Sequence, residues 1–323
     1  MTAKPDYLDT DVAYFLGLLV GRGEITPPQA GGVRRLKIEF PFKSLEVTGI
    51  KKSYKQRNEL IVGLQPSLSR ISELTEASIS TSQTEHSVVL TIESIKNSMF
   101  WRNINLLMKD KRAYYEFDIP TQIFEADDQV KKEFLRGYAD VAATARASNV
   151  DQGGRHRVYI DVLNLNWRLP VQICHLLQDH LNVPVQTIDY GHPNTRDSHL
   201  VEYKQGREDA WAREHQLKVY CEAFAPVGFW MPHKNEILNE LAEYNKEKFG
   251  HTPNFCSPPK RLGEKKPRHP GEKSDKLPKA IRGKHYTAYW QICGDLGCPR
   301  QTKCLPIFKQ FMKTTQTTLK VKK

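Results

Sequence analysis

One order of apolar and polar runs occurs twice in the first 245 residues. AYFLGLLVGRGEI (13–25) is apolar on every side, and KEFLRGYADVAATAR (132–146) carries an apolar stripe. Both patterns predict helices that end in small residues, spaced 120 residues apart. Acids precede each, Asp9 and Asp11 in the first case, Asp127 and Asp128 in the second, where the N–H groups of a helix start face outward. Each helix is followed by strict alternation. In GVRRLKIEFPF (32–42), Leu36, Ile38, Phe40 and Phe42 share one face, and Arg35, Lys37 and Glu39 the other. In RHRVYIDVL (155–163), Val158, Ile160 and Val162 oppose Arg157, Tyr159 and Asp161. This predicts strands packed by one face on helices, with the polar face left for a ligand.

Further elements continue both runs. The first half adds a helical stretch near 54–76, a strand at 86–93 and a helix at 97–109. The second adds a helix at 169–181, strands at 183–190 and 215–224, and a helix at 233–245. The sum is a pseudo-symmetric α+β body.

Charge changes the picture at one end only. Residues 246–323 hold 19 Lys+Arg against 5 Asp+Glu, a net of +14, while residues 1–245 hold 29 against 32, a net of −3. Such a tail attracts a polyanion, with an affinity that falls steeply as salt rises. Within it, 246–284 is rich in Pro, Gly and Lys without apolar periodicity and reads as a linker. Residues 285–323 regain aromatics and read as a small basic module. The apolar share of 39% in 323 residues suffices for a core, which excludes global disorder. The longest apolar run, 14–21, is about half of what a membrane span needs. The start MTAKPDYLDTD has no secretory apolar core, and six cysteines are too few for a disulfide scaffold. An intracellular protein without a membrane partner is expected.

Phe15-Leu16-Gly17-Leu18-Leu19-Val20-Gly21-Arg22-Gly23 and Leu135-Arg136-Gly137-Tyr138-Ala139-Asp140-Val141-Ala142-Ala143 resemble the two motif copies of single-chain LAGLIDADG homing endonucleases. The lead-in DIPTQIFEADDQVKKEFLRGYAD (118–140) and the closing VGFWMPHKNEIL (227–238) are similar to the family's phrases at those places. The likeness spans about residues 8–245. It implies tandem αββαββα repeats at 8–115 and 116–245, a pseudo-symmetric monomer, and a curved sheet laid on double-stranded DNA. The two motif helices would meet at the pseudo-twofold axis, with Gly17, Gly21 and Gly137 allowing close approach.

The family's metal-binding acids would stand at Arg22 and Ala142. A guanidinium cannot ligate Mg²⁺, and a methyl group offers no donor. The resemblance thus implies DNA recognition without the family's cleavage chemistry, by a regulator or by the targeting subunit of a larger protein complex. Arg22 becomes a candidate phosphate contact. Arg35, Lys37, Arg155, Arg157, Tyr159, Gln186 and Lys218 are the candidate strand-face contacts. Two rival readings stay open. One is a Mg²⁺-dependent endonuclease that uses the nearby acids Asp140 and Glu24 or the C-terminal module. The other is an RNA-binding, maturase-like splicing factor.

Cys174 and Cys221 lie in apolar contexts and are expected in the core. Cys256, Cys293, Cys298 and Cys304 belong to the tail. Four thiolates, or three with His285, would close a Zn²⁺ site, and a helix-turn-helix-like unit around Gly294–Gly297 is the competing arrangement. No other cofactor is implied.

Overall fold

The computed structural model describes residues 8–26, 32–75, 77–94, 99–109, 111–147, 154–163, 169–193, 213–250 and 285–286. The first half runs α1 (Thr10–Arg22), β1 (Gly23–Thr26), β2 (Arg34–Pro41), a one-turn α2 (Phe42–Leu45), β3 (Val47–Thr48), β4 (Ser53–Tyr54), α3 (Arg57–Leu74), β5 (Ser78–Gln83), β6 (Ser87–Ser94) and α4 (Met99–Met108). After the short α5 (Thr121–Glu125), the second half runs α6 (Asp128–Ala142), β7 (Ala143–Arg146), β8 (Arg157–Leu163), α7 (Leu169–His175), β9 (Thr187–Pro193), β10 (Arg213–Tyr220), a one-turn α8 (Cys221–Phe224) and α9 (Pro232–Phe249). Without the short insertions, both halves read αββαββα. The fold is mixed α+β.

The acids before each helix act as expected. Asp9 Oδ1 accepts from the N–H groups of Asp11 and Val12, and Asp127 Oδ1 accepts from Val130 N–H. Asp11 and Asp128 lie in the first turns. The helices stop sooner than the apolar pattern suggests, because Gly23 and Ala143 take extended backbone angles and start strands. β1 pairs antiparallel with β2, and β7 with β8. Their ladder bonds replace helical ones that three or four more residues would have made.

The first sheet has the order β1-β2-β6-β5. The second repeats it as β7-β8-β10-β9, inside a longer sheet flanked by β3 and β4 beside β7 and by β11 (His285–Tyr286) beside β9. β5 escaped the sequence reading because SISTSQ is polar and almost wholly exposed, an edge strand with no apolar face. The residues before β9, 183–186, are irregular, so that strand starts later than its apolar run. The apolar faces close one core, and Leu36, Ile38, Phe40, Val158, Ile160 and Val162 are all within it. Among the described residues, no helix is long and apolar enough to cross a membrane.

The halves are also latched at the surface. The β3–β4 hairpin of the first half pairs in parallel with β7 of the second, Thr48 opposite Arg146. Glu240 on α9 accepts from the N–H groups of Ile50 and Lys51 (3.0 and 2.7 Å), and Glu236 accepts from the Tyr54 hydroxyl (2.5 Å). Two turn amides converging on one carboxylate are worth about 1 kcal/mol at an exposed site. Glu240→Ala is expected to lower the denaturant midpoint by that amount with an unchanged slope, as read by urea titration.

Candidate nucleic-acid interface

α1 and α6 lie side by side in the same direction, and the glycines set their distance. A Cβ on Gly17 would stand 2.0 Å from the Phe134 carbonyl oxygen, and one on Gly137 would stand 2.0 Å from that of Tyr14. These two contacts are images of each other under the 120-residue offset. Gly21 meets Val141, its own counterpart. The seam is therefore a pseudo-twofold axis made of backbone pressed on backbone.

Arg22 and Ala142 occupy equivalent places, the last residues of α1 and α6. Both are buried, and the Arg22 guanidinium carbon lies 5.9 Å from the centre of the Tyr114 ring. With 2% of its surface exposed, Arg22 does not present a direct phosphate contact, which corrects the expectation from sequence. A cation and a methyl group at these positions do not fit a Mg²⁺ site, so no reaction step is routed through one.

The remaining acids face elsewhere. Glu24 is exposed on β1, directly opposite Lys37 of β2. Asp140 is fully buried. Tyr14 gives its single hydroxyl proton to Asp140 Oδ2 (2.8 Å), and its oxygen accepts from the Ser67 hydroxyl at 2.7 Å. Burial pushes the Asp140 carboxyl up to about 6, while Lys234, the Tyr14 hydroxyl and the backbone N–H groups of Met231 and Trp230 hold it from rising further. Asp140 is thus bound into the seam and does not face a ligand.

Sequence reasoning passed over Lys234. Its ammonium is completely buried and donates to the carbonyl oxygens of Ala139, Asp140 and Ala143 (2.9, 2.9 and 2.7 Å). It thereby supplies donors at the C-terminal end of α6. Burial draws its pKa down to about 7, against the pull of Asp140 and Asp161. A signal was present: Lys234 falls in helical register with Ile237, Leu238 and Leu241, a stripe otherwise apolar. At the other end of the seam, Arg70 bridges Asp11 and Glu133 (2.7 Å each) and lies over the Tyr14 and Trp230 rings at 4.3 and 4.2 Å.

The outer strand faces differ between the halves. On the first sheet Lys37 is exposed, and Arg35 is half-buried and bonded to Glu93 at 2.6 Å. On the second, Arg157 and Tyr159 are buried, 7% and 6% exposed, which corrects the expectation of an open face there. Neighbours on the sheet contribute to that cover: the Arg146 guanidinium sits 4.1 Å over the Tyr159 ring, and Arg157 lies beside Tyr220. Arg155 precedes β8, bonds to Glu222 and lies over Tyr220, so it stabilises the end of the sheet. Gln186 and Lys218 are half-buried, joined through the Gln186 N–H and the Lys218 carbonyl at 2.7 Å. Arg146 and Tyr220 were missed because each stands at the end of its strand, where alternation is too short to assign a face.

Cys174 and Cys221 are buried in the core, and burial raises the Cys221 thiol pKa. Cys256, Cys293, Cys298 and Cys304 lie outside the described residues, and of His285 only the backbone, in β11, is described. Among the described residues, no three His, Cys, Asp or Glu side chains form a group able to hold a metal ion.

The repeated αββαββα order and the glycine seam make this a two-repeat, LAGLIDADG-like fold. The sequence matches no family model and no curated protein. Solved structures do resemble the chain. A variant of I-DmoI, in complex with its target DNA in the presence of manganese, is 17% identical and matches 71% of this chain and 97% of its own, with a TM-score of 0.38. Full-length DUF199/WhiA from Thermatoga maritima is 13% identical over 76% of this chain and 63% of its own, with a TM-score of 0.38. The N-terminal LAGLIDADG domain of DUF199/WhiA is 11% identical over 73% and 82%, with a TM-score of 0.34. Likeness of this extent assigns no activity.

Proposed function

We propose that this chain is a sequence-specific reader of double-stranded DNA that does not cut through the two motif positions. The observation that carries the reading is the seam itself. α1 and α6 relate two four-strand antiparallel units of equal strand order, β1-β2-β6-β5 and β7-β8-β10-β9, by a pseudo-twofold axis, and a duplex has a matching twofold relation between half-sites. Strand faces with polar and basic side chains fit a major groove, where Arg, Lys and Gln distinguish base edges. Lys37, Arg35, Lys218 and Gln186 retain exposed surface for this role, while Arg155, Arg157 and Tyr159 position their neighbours. The body carries a net of −3, so the +14 of residues 246–323 supplies much of the sequence-independent attraction.

The chemistry of the two motif positions supports the reading that they do not carry cleavage. Arg22 and Ala142 give no carboxylate to a divalent ion, and Asp140 is turned into the seam with its oxygens among Tyr14, Met231 and Trp230. Exposed Glu24 alone makes no metal pair. No observation on the described residues favours RNA over duplex DNA.

The test incubates the full chain with randomly fragmented genomic DNA and Mg²⁺, then sequences the bound fragments and their ends. The expected result is enrichment of one sequence class with random ends. Ends accumulating at one position would show cutting and overturn the non-cleaving reading; equal recovery of all fragments would overturn sequence specificity. Removing residues 251–323 is expected to weaken binding of any duplex by at least tenfold at about 100 mM salt and to flatten its salt dependence.

A further inference from the structure

The two sheets share a strand order but not an outer edge. The first ends at β5, whereas the matched edge of the second, β9, carries one more strand, β11. His285 and Tyr286 pair antiparallel with Asp189 and Ile188, positions that register matches to Ser82 and Thr81 of β5. An open edge offers a row of unused N–H and C=O groups. At β9, a segment from the basic C-terminal part of the same chain takes up part of that row.

The basic segment also leaves the body from the second half. α9 ends at Phe249, and its last turns are clasped to the start of β8. The Asn245 side chain accepts from the His156 N–H (2.8 Å) and donates to the His156 carbonyl (2.9 Å), while the Arg155 guanidinium lies 5.6 Å from the centre of the Phe249 ring. Residues 251–284, with 10 Lys+Arg against 3 Asp+Glu, therefore begin and finish on the second half. Residues 287–323, with 7 against 1, start from its β9 edge. Among the described residues, none of this segment pairs with the first sheet. A tether concentrates a charged segment only within its reach, and a flexible run of some 35 residues spans about 30 Å. The nearer end of a bound duplex is thus served before the farther one.

We propose that the C-terminal segment is a one-sided clamp: held on the β9 edge, residues 287–323 bind the phosphates of duplex flanking the half-site under the second sheet, and the flank beyond the first sheet is left bare. This rests on the DNA-binding reading above and adds where along the duplex the tail acts. Phosphate contacts carry affinity and its salt dependence but no sequence information, so the clamp lengthens the bound stretch at one end without lengthening the recognised sequence.

The experiment measures fluorescence anisotropy of the full chain on the enriched sequence, over a range of salt, with about ten flanking base pairs at both ends or trimmed from one end or the other. Orientation is read separately, by photocrosslinking from p-benzoylphenylalanine placed in the full chain at Ser80, an exposed position of β5 in the row of Thr91 and Lys37. The crosslink marks the end under the first sheet. Trimming the opposite end is expected to lower affinity at least fivefold and to reduce the log–log salt slope by about 2, and trimming the marked end to cost no more than twofold. His285→Pro with Tyr286→Pro removes both N–H donors of β11 and should shrink the difference between ends below twofold, while the preference for the enriched sequence, which needs a folded body, persists. Equal costs at both ends, a larger cost at the marked end, or an asymmetry that survives the two prolines would overturn the one-sided clamp while leaving DNA binding intact. A Ser80 position that crosslinks to neither end would overturn the placement of the first sheet and the clamp with it. Failure of the unaltered chain to bind any duplex would overturn both readings.

Discussion

A single methyl group at position 137 is expected to cost about 3 kcal/mol or more, well above the typical surface substitution. The Gly137 Cβ would meet the Tyr14 carbonyl oxygen at 2.0 Å and Leu18 N at 3.2 Å, both backbone atoms of a helix that cannot turn aside. Relief requires α1 and α6 to separate, which opens the seam along its length and loses packing on both sides. Gly17→Ala should behave alike, since the Phe134 oxygen lies 2.0 Å from its added carbon. Gly21→Ala is the informative contrast. Its nearest obstacle is the Val141 Cγ2 methyl at 2.6 Å, a side-chain atom that can rotate or shift, and about 1 kcal/mol is expected. Urea unfolding of the three variants checks this. Losses below about 1 kcal/mol at both Gly17 and Gly137 would mean that the seam is looser than these contacts require.

Lys234→Met is the second large effect, with an expected loss of about 3 kcal/mol at neutral pH. The substitution removes the donor shared by three carbonyl oxygens and leaves Asp140 buried without its cation. The pH dependence is the sharper readout. The folded protein holds the Asp140 proton up to about pH 6 whereas the unfolded chain releases it near 4, so this group's contribution to stability weakens as pH rises from about 4 through 6. Lys234 loses its proton near 7 when folded and only near 10.5 when unfolded, so stability gains as pH rises from about 7 toward 10. Together the pair produces a minimum between pH 6 and 7, with arms of order 2–4 kcal/mol. Asp140→Asn is expected to flatten the acid arm. Lys234→Met should flatten the alkaline arm and move the acid arm upward in pH, because the carboxylate has lost its nearest positive charge. Unfolding free energies from pH 4 to 10 decide it; an alkaline arm that survives Lys234→Met would remove Lys234 from the account.

Local pattern was enough for much of this protein. Alternation in Leu36–Phe42 and Val158–Val162 identified the two central strands and their inner faces, because a period of two leaves no choice of side once one face is apolar. The acids at Asp9 and Asp127 marked both helix starts, and the repeat of small residues at Gly17 and Gly137 pointed to a close pair of helices. That Arg22 and Ala142 offer no carboxylate to a metal ion was legible from residue chemistry alone. Strands without an apolar face, such as Ser78–Gln83, left no such trace, since an exposed edge imposes no period on its side chains.

What tertiary structure alone decided concerns partners far apart in the chain. Asp140 lies 126 residues from Tyr14 and 94 from Lys234, and no local rule joins them. Whether an acid faces a ligand or a seam depends on what packs against its helix, and here α1, α3 and the start of α9 close over it. The same holds for the outer faces. Sequence placed Arg35 and Arg157 on equivalent polar positions, but register sets Glu93 opposite the first and Tyr220 opposite the second. Charge on a sheet is a property of rows that run across strands, so it becomes visible only when register is known.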